Sequence, residues 1–192
     1  MKPLTIDQWD NSLQHVVDDM QGDPLNIHRL LANHPELLRA WWPLRMHSVT
    51  GGNLDQRDCE LIILRVAVLT ETWYEWAAHV DRGLVAGLSR VEIDRVAAGP
   101  AARDWDERDR LMLTAVDELF HQRCITPQTL AELGEYLTER RVLDIVSLHG
   151  VYMNLACILK TWDVDIESRL RDRLPADVTE DSFAALLAAN GD

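Results

Sequence analysis

The sequence predicts a single-domain, all-α protein. Apolar residues recur every three or four positions through nearly every segment, which is the period of helices that bury one face. No run of four to eight residues stands out with the alternating, β-branched pattern of a strand. The length of 192 residues favours one domain that buries roughly 70% of its unfolded surface.

The N-terminal segment is predicted to hold three helices. Residues 7–20 place their apolar side chains on one stripe, and a Gly-Asp-Pro sequence ends this pattern. A short helix over residues 26–32 follows, and a third helix begins at Pro35. We expect Pro43 to kink or split this third helix. Residues 50–53 (Thr-Gly-Gly-Asn) form the next turn.

Two apolar helices come next, between Asp55 and Gly87. Asp55 is of the residue type that caps helix N-termini, and residues 70–72 separate the two helices. Ser89 and Glu92 have the spacing of a capping box, which predicts a short helix immediately after this pair.

The C-terminal half is predicted to hold a helix over residues 105–122 and another that starts after Thr126, where proline occupies the first helical position. A long helix over residues 140–161 closes the bundle. The domain then covers residues 1–175, and residues 176–192 form an acidic tail that can end in a helix.

Charge and cysteine content narrow the function classes. The net charge of −13 argues against nucleic acid and against anionic lipid, because both require a basic surface. Cys59, Cys124 and Cys157 form no Cys-x-x-Cys motif, and the N-terminus has no apolar signal segment. We therefore expect reduced thiols in a cytoplasmic protein.

Residues 142–159 form an apolar stretch of 18 residues. Their length approaches that of a membrane span, but Asp144, His149 and Asn154 interrupt them. We expect a helix buried in the protein.

A four-residue pattern occurs twice. Residues 55–58 (Asp-Gln-Arg-Asp) resemble residues 106–109 (Asp-Glu-Arg-Asp), and an apolar helix follows each. The pattern is compatible with a duplicated helical unit.

The candidate functional residues lie on the two apolar helices. Glu75 and His79 are four positions apart, so they share one helix face, and a carboxylate beside an imidazole can form a general acid or base. Glu60 precedes a run in which Arg65 is the only polar residue, and Arg65 is expected to pair with an acid. The alternatives are a surface ion pair for Glu75 and His79, and a helix-dipole contact for Glu60.

Other candidates have structural alternatives. His149 and Tyr152 lie three positions apart on the long helix and can be hydrogen-bonded core residues. Glu118 and His121 have the Glu-x-x-His spacing of di-iron bundles, but the motif occurs once where such sites need it twice. We therefore expect neither a metal nor another cofactor.

Three blocks of sequence resemble the carboxymuconolactone decarboxylase family, whose superfamily includes alkylhydroperoxidase D. The blocks are Arg57-x-x-Glu60-Leu61-x-Ile63-Leu64-Arg65-Val66-Ala67, Tyr74-Glu75-Trp76-x-x-His79 and Ala86-Gly87-Leu88-Ser89-x-x-Glu92-Ile93. The resemblance covers about residues 30–165 and implies an all-α bundle that forms a trimer or hexamer. In its peroxidase branch two cysteines stand where this chain has Thr72 and Glu75.

The resemblance implies a cofactor-free lyase or isomerase that acts on a small carboxylated lactone or carbonyl compound. His79 would deliver the proton as an imidazolium, Glu75 would orient it and Glu60 would tune the pair. We expect Trp76, Tyr152 and His149 to contact the substrate. The alternatives are a thiol antioxidant, which the missing Cys-x-x-Cys disfavours, and a non-catalytic oligomer that binds a small ligand.

Overall fold

A computed structural model describes residues 1–190 of the chain, and these contain eleven α-helices and no strand. The helices are α1 (Gln14–Asp19), α2 (Asn26–Leu31), α3 (Pro35–Met46), α4 (Gln56–Leu69), α5 (Trp73–Val85), α6 (Arg90–Val96), α7 (Glu107–Gln122), α8 (Pro127–Leu133), α9 (Glu139–Trp162), α10 (Ser168–Arg171) and α11 (Glu180–Asn190). The all-α fold class predicted from the sequence is confirmed.

Helix α4 lies at the centre of the bundle. Every residue from 58 to 68 is buried, because α5, α7 and α9 pack around this helix. A helix that is covered on all sides can be apolar all round, which explains the long apolar run in the sequence. The few polar side chains on α4 are therefore forced to find partners inside the protein.

The N-termini of α6 and α8 follow the predicted capping signals. The Ser89 side chain accepts a hydrogen bond from the Glu92 backbone N–H, and the Glu92 carboxylate accepts one from the Ser89 backbone, so α6 has a complete capping box. Thr126 caps α8, with proline at the first helical position.

The N-terminal segment differs from the prediction of one helix over residues 7–20. Two 3₁₀ turns, Ile6–Gln8 and Asn11–Leu13, precede the short α1. The Asp10 carboxylate accepts a hydrogen bond from the Ser12 N–H at 2.8 Å and so stabilises a tight turn in place of helix. Pro43 does not split α3, and the chain continues after it as a π-helical turn over His47–Gly51.

The repeated four-residue pattern forms what we call the crossed ion pairs. Arg57 on α4 donates to both carboxylate oxygens of Asp109 on α7, at 3.0 and 2.6 Å. Arg108 on α7 donates in turn to both carboxylate oxygens of Asp58 on α4. Each copy of the pattern thus supplies the arginine that neutralises the other copy's acid.

Arg65 has the acidic partner that its position in an apolar run predicts. Its guanidinium donates to Asp117 at 2.6 and 2.8 Å and to the Val96 and Ala97 carbonyls. Gly99 has a φ of +69°, and a Cβ at this position would come within 2.6 Å of the guanidinium. Glycine is therefore required both for the backbone conformation and for the space that Arg65 fills.

Helices α9 and α11 pack against different parts of the bundle. Helix α9 is long and apolar enough to cross a membrane by length and composition alone, and half of its most apolar window is buried, where it packs against α4 and α7. Within the acidic tail, α11 packs on α5, where the Phe183 ring stacks on the Trp76 ring with centroids 5.2 Å apart.

Candidate functional site

Glu60 and His79 meet where α4 and α5 pack together. The His79 Nδ1 atom lies 2.6 Å from Glu60 Oε2, and both side chains are buried. An ionised carboxylate can only accept a hydrogen bond, so the short contact assigns the imidazole proton to Nδ1. The lone pair of the imidazole is then on Nε2.

Glu75 faces the other ring nitrogen from the same helix. Its Oε2 lies 3.5 Å from His79 Nε2, across one helical turn. Burial raises the pKa of Glu75 to about 8, although Arg82 and Arg45 oppose this shift with their positive charges. Glu75 is therefore mostly a neutral carboxylic acid at pH 7 and can offer a proton to Nε2.

His79 is mostly a neutral imidazole. Burial lowers its pKa, while the carboxylate of Glu60 acts in the opposite direction and the charges of Arg82 and Arg45 add to the lowering. The imidazolium predicted from the sequence is thus disfavoured by the surroundings. A neutral ring that accepts at one nitrogen and donates at the other can still pass a proton by changing its tautomer.

Tyr152 on α9 completes the apolar enclosure of the imidazole. Its ring meets the His79 ring edge-to-face, with centroids 5.1 Å apart. Burial raises the pKa of Tyr152 far above its usual value, and the negative charges of Glu75 and Glu60 add to that shift. The phenol therefore stays protonated and acts as a packing surface in the resting protein.

A hollow of about 550 Å³ opens beside this cluster, between α3, α4, α5 and the end of α1. Its wall includes Glu60, Arg45 and Arg82, together with apolar side chains such as Val49 and Val85. His79 is not part of the wall, so Glu60 is the member of the cluster that a guest molecule would meet. The volume suits a small organic ligand.

Arg45 and Arg82 are the charged residues that the sequence analysis missed. Arg82 follows His79 by three positions on α5, so its presence on the same face could have been read from the sequence. Arg45 comes from α3, far away along the chain, and only the packing of the helices brings it to the hollow. No local sequence signal marks it.

The structure brings together Glu60, Glu75, His79 and Tyr152, but it places Trp76 and His149 elsewhere. Trp76 lines a separate hollow of about 230 Å³ beside α11. For His149, burial lowers the pKa to about 4, with a further contribution from the charge of Arg123. Its Nε2 atom has no hydrogen-bond partner within residues 1–190.

Glu118, from the Glu-x-x-His sequence, has a structural role. Its carboxylate accepts hydrogen bonds from the Thr126 backbone and hydroxyl groups and from the Thr129 hydroxyl, at 2.7 to 2.9 Å. It therefore holds the start of α8 against α7. Across residues 1–190 no group of three or more His, Cys, Asp or Glu side chains is arranged to hold a metal ion.

The three cysteines are free thiols in different surroundings. Cys59 is buried, whereas Cys124 and Cys157 are exposed. Burial raises the pKa of Cys59 to about 12, and the negative charges of Glu60 and Asp58 add to the shift. Since the thiolate is the reactive form, Cys59 is a poor nucleophile despite its position beside Glu60.

The fold is that of the alkylhydroperoxidase D-like all-α proteins. It superimposes on a peroxidase-related protein with the alkylhydroperoxidase AhpD core from Ralstonia eutropha JMP134, with a TM-score of 0.79 and 17% identity, over 91% of this chain and 96% of that one. It also matches a peroxidase-related protein from Silicibacter sp. TM1040, with a TM-score of 0.74 and 16% identity, over 88% of this chain and 93% of that one.

A third solved structure on the same fold is the debrominase Bmp8 in complex with 2,3,4-tribromopyrrole. Its TM-score is 0.74, and it is 16% identical over 90% of this chain and 94% of its own. No protein of curated function matches the chain significantly. Residues 35–118 match the sequence model of the carboxymuconolactone decarboxylase family. This match covers less than half of the chain and agrees with the resemblance found in the sequence, while the structural neighbours show the alkylhydroperoxidase D-like fold.

Proposed function

We propose that the protein is a cofactor-free lyase or isomerase that moves a proton on a small carboxylated lactone or carbonyl compound. The observation that supports this most directly is the 2.6 Å contact between Glu60 and His79, because Glu60 also lines the hollow. A buried carboxylate–imidazole pair that reaches a ligand-sized space is suited to general acid–base catalysis.

The order of the groups gives a route for one proton. Glu60 meets the substrate, His79 links the two acids, and Glu75 holds the proton in the resting state. When Glu75 donates to Nε2, the Nδ1 proton can pass to Glu60 and from there to a carbon of the substrate. The His79 ring stays neutral, but its proton is then on Nε2. The site is reset when a proton from solvent reaches Nδ1 through Glu60, which lines the hollow, and the Nε2 proton returns to Glu75.

A decarboxylation fits this route in its atoms and charges. The bond between the carboxylate and its neighbouring carbon breaks, carbon dioxide leaves, and the electron pair stays behind as an enolate. Arg45 and Arg82 supply positive charge at the hollow that would stabilise this enolate. The proton delivered through Glu60 then forms the new carbon–hydrogen bond.

The experiment is a turnover assay with carboxylated lactones and β-keto acids on the wild type and on Glu60→Gln, Glu75→Gln and His79→Ala. Loss of a positioned acid or base costs about 10²- to 10⁴-fold in rate, so each variant should fall by that order. His121→Ala, an exposed histidine at the far end of α7, is the control and should keep the wild-type rate. Unchanged turnover by His79→Ala would remove the imidazole from the mechanism.

The resemblance also implies an oligomer. We propose that the active species is a trimer or hexamer, which sedimentation velocity can distinguish from a monomer.

A thiol peroxidase is the alternative function that the structural neighbours suggest, since two of them are peroxidase-related. It requires peroxide consumption that ends when the thiols are alkylated.

A further inference from the structure

Arg45 and Arg82 stand out because their charges are not neutralised by ion pairs. Arg45 is only 9% exposed, and its contacts are the Met46 sulfur at 3.2 Å and the face of the Trp42 ring at 5.1 Å. Arg82 makes a long contact of 3.4 Å with His79 Nε2. Within the described part of the chain, neither guanidinium forms an ion pair with a carboxylate, although the protein carries a net charge of −13.

A buried guanidinium without an acid is costly, since its charge has left water without compensation. Burial accordingly lowers the pKa of Arg45. Asp19 and Asp81 also line the hollow, but Asp19 is exposed and its carboxylate accepts a hydrogen bond from the Trp42 indole at 2.7 Å. Two guanidinium groups therefore line the hollow without an ion-pair partner among the acids of residues 1–190.

The charge balance around Glu75 depends on groups from every neighbouring element. With Glu60 ionised, Glu75 protonated and both arginines charged, these four groups carry one net positive charge. Arg82 and Arg45 draw Glu75 toward ionisation, while Glu60 and Glu167 oppose it. The other titratable groups near the arginines and Glu75 are neutral or mostly so at pH 7. They are Tyr74 and His79 on the same helix as Glu75, Tyr152 on α9, and His28 on α2, whose pKa is lowered by burial and by the charges of Arg45 and Arg82.

We propose that Arg45 and Arg82 form a subsite for the carboxylate of a small mono-anionic ligand, and that such an anion binds together with a proton held on Glu75. The inference rests on the hollow being the site of the proposed function, and it names the chemical group by which the substrate is recognised. A bound carboxylate would supply the negative charge that the two guanidinium groups lack, in the paired geometry that arginine favours.

Proton linkage follows from the same charges. An anion between the arginines cancels the attraction that draws Glu75 toward ionisation, so Glu75 holds its proton more firmly in the complex. Binding must then weaken as the pH rises above about 8, where free Glu75 loses its proton. A subsite without this linkage would bind carboxylate equally well across that range.

The test uses benzoate as the probe and isothermal titration calorimetry as the measurement, with benzamide as the uncharged ligand of the same shape. The wild type should bind benzoate and not benzamide. Arg45→Met and Arg82→Met should each weaken benzoate binding by about tenfold or more, the value of one charge-assisted hydrogen bond. Arg110→Met, which alters an exposed arginine paired with Glu107, should leave the affinity unchanged.

The proton is counted by repeating the titration at about pH 8.5 in buffers of different ionisation enthalpy. The wild type should take up on the order of one proton per benzoate, and Glu75→Gln should take up none. Arg45→Lys, which keeps the charge but loses the fork, serves if Arg45→Met does not fold, and should bind more weakly than the wild type.

Each outcome has a defined meaning. Absence of benzoate binding, or equal affinity in the wild type and both arginine variants, overturns the subsite. Binding that depends on the arginines but takes up no proton overturns the linkage to Glu75. Because benzoate is not turned over, these results are independent of the assay on His79→Ala, and either proposal can fail while the other stands.

Discussion

Two clusters of charged residues that pack against α4 treat their charges in opposite ways. In the crossed ion pairs, every arginine has an acid within hydrogen-bond distance, and each acid is buried. Beside Glu60, a few residues along the same helix, Arg45 and Arg82 face a hollow without such a partner. The first arrangement neutralises charge inside the protein, and the second leaves positive charge available to a guest.

The pKa values reflect the same contrast. Asp109 raises the pKa of Arg57 through hydrogen bonds, whereas burial lowers that of Arg45. A buried ion pair adds only modestly to the free energy of unfolding. Removing one partner, however, leaves the other charge buried without compensation, and this is strongly destabilising. A buried charge without an ion-pair partner, such as that of Arg45, is already uncompensated in the native protein. Removing it should therefore not lower the free energy of unfolding.

The largest difference between a paired and an unpaired arginine is expected when arginine is replaced by methionine in two separate variants, Arg65→Met and Arg45→Met. Arg65→Met strands Asp117 and the carbonyls of Val96 and Ala97, and we expect a loss of about 3 kcal/mol in the free energy of unfolding. Arg45→Met removes a buried charge that has no acid partner, and should leave that free energy unchanged or slightly higher. Urea denaturation measures both. Equal losses would contradict the distinction between the two clusters.

The crossed ion pairs predict a second, smaller effect. The side chains of Arg57 and Arg108 are 27% and 26% exposed, and both acids are buried. Arg57→Ala and Arg108→Ala should therefore each cost about 2 kcal/mol, with Arg57→Ala slightly worse because Arg57 also pairs with Glu92. Thermal unfolding of the two variants checks this, and Arg110→Ala at an exposed pair is the control, with a loss below about 1 kcal/mol.

Glu75 gives a pH dependence of defined sign. Its pKa in the folded protein is raised to about 8 from the ordinary glutamate value of about 4.5, so the unfolded chain releases this proton first as the pH rises. Stability from this group is present below pH 4.5 and declines toward pH 8, by at most about 1.4 kcal/mol per pH unit. Glu75→Gln should lack this decline.

His79 contributes with the opposite sign, because its pKa is lowered in the folded protein, so its contribution is lost as the pH falls through 6.5. The window from about pH 6.5 to pH 8 therefore isolates Glu75. Parallel pH profiles of the unfolding free energy for wild type and Glu75→Gln in that window would contradict the raised pKa.

The smallest effect is predicted for the thiols. Iodoacetamide should modify the exposed Cys124 and Cys157 in the native protein and spare the buried Cys59, whose pKa is raised to about 12. Mass spectrometry counts the modified sites. Because neither exposed thiol lines the hollow, alkylation should leave turnover unchanged.

Much of the site was predictable because it is local in the sequence. Glu75 and His79 are one turn apart, and Glu60 lies on the helix that packs directly against theirs. Consecutive residues of a helix point about 100° apart, so Trp76 points away from Glu75 and contacts Phe183 of α11. Arg45 could not be predicted, since it depends on how α3 packs.

The fold, like the site, was predictable where the signal is local in the sequence. The capping signals of α6 and α8 are local and were predicted, whereas the 3₁₀ turns before α1 depend on the competition between the Asp10 side chain and the helix. His149 and Tyr152 lie three positions apart, but the rise of α9 brings only Tyr152 against His79.

The reciprocity of Arg57 with Asp109 and of Arg108 with Asp58 has a mechanical consequence. Sliding α4 along α7 by a single turn, about 5.4 Å, would sever all of these bonds at once, so the two helices are locked in register. Within residues 1–190, α1 and α3, which also line the hollow, form no ion pair with α4, so we expect any widening of the hollow to come from movement of these two helices.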